Sequence, residues 1–96
     1  MPQIEIVVTN KLGLHARPAA IFVRVAQKFA AEVFVSRRGG DGSWVNAKSV
    51  MGVMSLGAAP GSVLLVRAVG PDAKRALKSL RLLAEKRFLE DHYLSR

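Results

Sequence analysis

The sequence predicts a two-layer α/β (α+β) domain with the element order β-α-β-β-α-β-α, and three observations carry that prediction. Strand-like and helix-like apolar periods alternate along the chain. Gly39, Gly40, Asp41 and Gly42 form a flexible turn that folds two strand-like segments into a hairpin. The helical segments are amphipathic, and a helix with one apolar stripe needs a sheet to lie on. One hairpin with such helices fits two layers rather than a doubly wound parallel sheet, so one sheet face is expected to stay open. The 96 residues form a single expected domain, 1–96, with about 89–96 as a fraying tail.

Residues 3–9 (QIEIVVT) are β-branched with partial alternation and read as the first strand. Asn10, Lys11 and Gly13 follow as a turn cluster whose loop carries Leu14 and His15. From Arg17 onward, Ala19, Phe22, Val23, Ala26, Phe29 and Ala30 recur at three- and four-residue steps, which places them on one helical stripe. Pro18 falls in the first turn, where its missing N–H is tolerated. Residues 32–37 (EVFVSR) make the second strand and Ser43 to Asn46 a short third one. Lys48 to Leu56 reads as a brief helix closed by Gly57, and Pro60 and Gly61 lead into a strand from Ser62 to Ala68. Pro71 and Asp72 open the last helix, with Ala73, Ala76, Leu77, Leu80, Leu83 and Ala84 as its apolar stripe. That helix is expected to run on into FLEDHYLSR at 88–96.

Fifteen Lys and Arg against seven Asp and Glu give a net charge of +8, densest at Lys74, Arg75, Lys78, Arg81, Lys86 and Arg87. Such a surface attracts nucleic acid, anionic lipid or acidic protein without choosing among them, and a solvated helix face explains it as simply. The absence of Cys removes disulfides and thiol chemistry and suits a reducing compartment, so the cytoplasm is the expected location. No apolar run approaches the roughly 20 residues of a membrane span, and no signal segment is visible.

The segment Gly13-Leu14-His15-Ala16-Arg17-Pro18-Ala19-Ala20 puts an imidazole just ahead of a helix and a guanidinium two residues on. A helix start offers backbone N–H groups and the positive end of the macrodipole, which together hold anions. With Pro18 lacking a donor, the useful amides are those of Ala16 and Arg17, and the Arg17 fork adds charge-assisted bonds to phosphate oxygens. An imidazole nitrogen attacks phosphorus only without its proton, and positive potential disfavours the charged ring. On these residues alone, an ordinary cap histidine beside an exposed arginine fits equally well. A metal site lacks partners, since the other histidine is His92 near the end of the chain and no carboxylate neighbours His15 in sequence. A serine triad lacks its G-x-S-x-G turn.

In the second segment, Ser49 stands at the expected N-cap of the brief helix, and capping alone would account for it. Val50, Met51 and Met54 sit at helical spacing on a piece too short to bury them all, which suits a docking surface as well as core packing. Ala20 and Arg24 continue the Arg17 face of the first helix, and Lys48 adds a further cation.

GLHARPAA at 13–20 together with VNAKSVMGVMSLGA at 45–58 resembles HPr, the histidine-containing phosphocarrier family of the bacterial phosphoenolpyruvate-dependent sugar phosphotransferase system. The resemblance covers nearly the whole chain. It implies an open-faced β-sandwich with a four-stranded antiparallel sheet in the order 1-4-2-3 and three helices on one face. It implies that His15 accepts a phosphoryl group on Nδ1 from phosphorylated enzyme I and passes it to an enzyme IIA domain, with Arg17 stabilising the phosphate. Ser49 matches a regulatory serine phosphorylated by HPr kinase/phosphorylase. Ala20, Arg24, Lys48, Val50, Met51 and Met54 match the surface that docks enzyme I and enzyme IIA. The chain is then a carrier with a phosphohistidine intermediate, not a stand-alone catalyst, and a monomer that needs no metal or cofactor.

Three features depart from the usual family pattern: a longer hairpin turn at 37–44, the extended C-terminus and the strongly basic charge. A carrier in a nitrogen-related or regulatory phosphotransferase branch keeps the same chemistry. A homologue that has lost its phosphate chemistry would lack the histidine, which this chain has. A basic nucleic-acid-binding module built on the last helix is disfavoured by the few aromatics and the lack of a binding signature.

Overall fold

In the computed structural model, which describes residues 1–89, alternation along the strands decides how the sheet is oriented. Ile6 in β1 (Gln3–Val7), Val33 and Val35 in β2 (Glu32–Arg37), and Leu64, Val66 and Ala68 in β4 (Val63–Val69) are buried, while their neighbours along the strands, buried Ser36 apart, are more open. The register aligns these rows, with Ile4 and Val35 both opposite Val66 and Ile6 opposite Leu64. The hairpin partner β3 is short, Val45–Asn46, and pairs with Val35 and Phe34. The result is a four-stranded antiparallel sheet in the order β1-β4-β2-β3, as the family resemblance implies. The alternate rows face away from the helices, and there Arg67, opposite Gln3 and Phe34, stacks on the Trp44 ring at 4.2 Å.

The helices lie on the other face. In α1 (Ala16–Ala26), Ala19, Phe22, Val23 and Ala26 are buried; in α3 (Ala73–Glu85) so are Ala73, Ala76, Leu77, Leu80, Leu83 and Ala84. The five-residue α2 (Val50–Met54) buries only Val53. α1 packs against both of the others.

Two helix ends differ from the sequence reading. The first stripe stops at Ala26: Phe29 is half-buried and Ala30 exposed, because the chain leaves the helix through tighter turns and offers the Ala30 and Ala31 N–H groups to the Asp72 carboxylate at 2.9 and 2.8 Å. Gly70 passes so close to this point that a Cβ there would lie 2.7 Å from the Ala31 Cα.

The last helix ends at Glu85 instead of running on into 88–96. Arg87 and Phe88 both take φ near +55°, which swings Phe88 into the core, fully buried, with its ring centroid 6.2 Å from that of Phe22. A left-handed residue costs about 1–2 kcal/mol, and burying a phenyl ring recovers roughly 3 kcal/mol, so the core contact offsets much of the strain. The expected tail at 90–96 lies outside the described residues, as does His92.

Candidate functional site

His15 is placed by the loop before it. Asn10 is fully buried; its Nδ2 donates to the Gly13 carbonyl, and the Gly13 N–H donates back to the Asn10 carbonyl at 3.2 Å. Gly13 has φ +75°, and a Cβ on it would lie 2.7 Å from the Ala58 carbonyl oxygen, so the turn requires glycine. Leu14 is buried and donates its N–H to that same carbonyl at 2.8 Å. The loop is thereby clamped onto the segment that follows α2.

His15 is the N-cap residue of α1, in extended backbone at φ −83° and ψ −169°, and its side chain does not cap its own helix. The residue is half-buried and its Nε2 atom is buried. The helical ladder begins where the Ala19 N–H donates to the His15 carbonyl at 2.9 Å. Pro18 has no N–H, so the donors ahead of the ladder belong to Ala16 and Arg17. Both residues are exposed, and the first turn contains no acidic side chain. An anion at this point would meet the positive end of the helix, with no carboxylate in that turn to repel it.

Ser49 is the N-cap of α2, and its Oγ accepts the Gly52 N–H at 3.1 Å. Lys48 has a structural use: half-buried, it donates from Nζ to the Phe29 carbonyl at 2.7 Å, while its own carbonyl accepts from Gln27 Nε2 at 3.1 Å. These bonds tie the start of α2 to the end of α1. The Leu14 to Ala58 bond ties the segment after α2 to the start of α1. The two helices therefore run in opposite directions, and Ser49 stands near the Gln27 end, roughly one length of α1 (about 16 Å) from the His15 end.

Between those ends, Val50, Met51 and Met54 are 36%, 78% and 40% exposed, Ala20 is half-buried and Arg24 is exposed. α1 and α2 are in contact, and these side chains are the more open ones on the two helices. Among the described residues no group of three His, Cys, Asp or Glu could hold a metal ion, and no helix is long and apolar enough to cross a membrane.

The PTS-HPr family, described as the PTS HPr component phosphorylation site, matches residues 2–86. The chain belongs to the HPr family. A phosphocarrier protein HPr of Xylella fastidiosa (strain 9a5c) is 47% identical over 91 residues, which cover 95% of this chain and 99% of that protein. The crystal structure of an HPr from Thermoanaerobacter tengcongensis matches with a TM-score of 0.85 at 47% identity, covering 94% of this chain and 98% of that one. The Crh catabolite repression protein of Bacillus subtilis, described as a domain-swapped dimer, matches with a TM-score of 0.69 at 41% identity, covering 91% of this chain and 97% of that one. As a member of the HPr family, the chain is a phosphocarrier of the phosphotransferase system.

Within that HPr frame, the sequence reading missed the residues that support the site. Asn10 was visible only as part of a turn cluster, and the signal for more was a polar residue between Val8 and Leu14, both of which are buried. Ala58 acts through its backbone, which leaves no side-chain signal. Arg37 fixes the far end of α2 by donating from Nε to the Leu56 carbonyl at 2.8 Å.

Proposed function

We propose that this HPr-family protein accepts a phosphoryl group on Nδ1 of His15 from phosphorylated enzyme I and passes it to an enzyme IIA domain of a sugar phosphotransferase system. The observation that carries the reading is His15 itself: it heads α1 with Nε2 buried, beside a first turn free of acidic side chains. With Nε2 inaccessible, Nδ1 is the ring nitrogen left for chemistry. Its lone pair forms the N–P bond while the bond from phosphorus to the donor breaks and the donor keeps that electron pair; delivery to enzyme IIA reverses the roles. The Ala16 and Arg17 N–H groups and the Arg17 guanidinium hold the phosphate oxygens.

Ala20, Arg24, Lys48, Val50, Met51 and Met54 form the docking surface, a small apolar centre with basic neighbours that suits brief complexes with acidic partners. HPr kinase/phosphorylase acts on Ser49, where an added dianion lies near Arg24 and weakens docking. The protein works as a monomer in the cytoplasm.

Incubation with enzyme I and labelled phosphoenolpyruvate tests the reading. Acid-labile, alkali-stable label is expected on the parent protein and none on His15→Ala. Label that persists on the variant overturns the assignment.

A further inference from the structure

The groove between β1 and α3 lies apart from the His15 site, and its use does not depend on the reading above. β1 is an edge strand, bonded to β4 alone. The Pro2 carbonyl accepts from the Ala68 N–H at 3.2 Å, the Val8 N–H donates to the Ser62 carbonyl at 2.9 Å, and the Val8 carbonyl accepts from the Gly61 N–H at 2.8 Å. Bonding residues alternate in an antiparallel ladder, so Ile4 and Ile6 also face β4. The N–H and C=O groups of Gln3, Glu5 and Val7 then point outward along the free edge.

Two adjoining clefts follow this edge, one beside residues 2–4 and one beside residues 5–9, with α3 as the second wall and Arg81 shared between them. Lys74, Lys78 and Arg81 stand at helical spacing along that wall, all exposed, and among the described residues none of them makes an ion pair. Half-buried Ile4 and buried Leu77 line the first cleft between them. The acids of the groove, Glu5 and Glu85, belong to the second cleft, and Glu5 is paired with Arg38.

We infer that this groove takes an extended acidic segment of a partner protein, added to β1 as a fifth strand with its carboxylates against Lys74, Lys78 and Arg81. The main-chain ladder supplies affinity, and the cationic wall selects the acidic sequence. Glu5 and Glu85 set the polarity, so acidic residues belong in the half of the segment that faces Lys74 to Arg81. A second copy of this chain offers the same edge but brings a second cationic stripe, and two chains of net charge +8 repel. Nucleic acid matches the cations but has no N–H and C=O row to match the edge.

The test uses a capped octapeptide that alternates Val with Glu in one half and Val with Ser in the other, added to the ¹⁵N-labelled protein. Slowed amide exchange is expected at Gln3, Glu5 and Val7, with Ala16 and Arg17 unchanged. Lys74→Glu/Lys78→Glu should weaken binding about tenfold or more, and a peptide N-methylated at alternate residues should fail to bind. Unchanged affinity in the double variant overturns the inference. So does protection of the same amides by self-association without peptide, or equal binding of the N-methylated peptide or of a random single-stranded oligonucleotide.

Discussion

Two helix starts in this molecule handle negative charge in opposite ways. α3 begins at Asp72, whose carboxylate leaves its own helix uncapped and accepts the Ala30 and Ala31 N–H groups instead. α1 begins at His15, uncapped by its side chain and followed by a first turn without acids. At α3 the anion is built in and locks the chain between α1 and β2 against the next helix. At α1 the residue that heads the helix carries no built-in anion, so the positive end of the dipole is not met by a carboxylate of its own helix start. Both first turns lack acidic side chains, so it is the residue heading each helix, Asp72 or His15, that separates the two starts.

Making α1 resemble α3 is the strongest way to break this contrast. Ala16→Asp puts a carboxylate beside the proposed phosphate site and is expected to slow phosphoryl transfer about 10- to 100-fold, roughly 1.4–2.7 kcal/mol of like-charge repulsion. The same change should leave thermal stability equal or raise it, because an acid near a helix N-terminus is favoured by about 0.3–1 kcal/mol. Transfer at the parent rate would erase the distinction between the two starts. Arg17→Ala comes next: losing one charge-assisted bond of about 1.5 kcal/mol predicts transfer roughly tenfold slower. Arg17 is exposed, so its melting temperature should stay near the parent value, and normal single-turnover kinetics would remove the guanidinium from the site.

The legible parts of this fold are local ones. The order of elements, the α3 stripe from Ala73 to Ala84 and the Ser49 cap all follow from residues within a turn or two of each other, and the structure contains each of them. His15 and Arg17 were visible for the same reason. Which ring nitrogen is buried was not, because it depends on how the loop seats against the rest of the chain. The Asn10, Gly13 and Ala58 clamp joins segments more than forty residues apart, and so does the bond that the Ala30 N–H donates to Asp72. The end of α3 was misread because apolar spacing continues past Glu85, while the contact that ends the helix is with Phe22, on another element.

Ser49 sharpens the comparison from a third helix start, where a neutral hydroxyl serves its own helix. Ser49→Ala should cost about 1 kcal/mol, read as a melting temperature roughly 4–8 °C lower, with transfer chemistry at His15 unchanged. Ser49→Asp keeps an acceptor for the Gly52 N–H and so retains the fold, yet should raise the concentration of enzyme I needed for half-maximal transfer. Equal concentration dependence in Ser49→Asp and parent would leave Ser49 as a cap alone.

The smallest expected effect belongs to Asp72, whose half-buried carboxylate is still partly screened by water. Its hydrogen bonds, that from Ala30 first, hold the carboxyl below its ordinary value of 3.8, although desolvation pushes the other way. Folding thus favours the ionised form, and the stability this adds is complete above the ordinary value and fades as pH falls through the lower folded one. Asp72→Asn should accordingly be less stable than the parent at neutral pH, with the gap closing in acid and phosphoryl transfer unaffected throughout. Urea unfolding at stepped pH measures that gap. A gap that persisted undiminished below the folded value would mean that the shape of the side chain, and not its charge, holds Ala30 and Ala31. The start of α3 would then cease to be the charged counterpart of the start of α1.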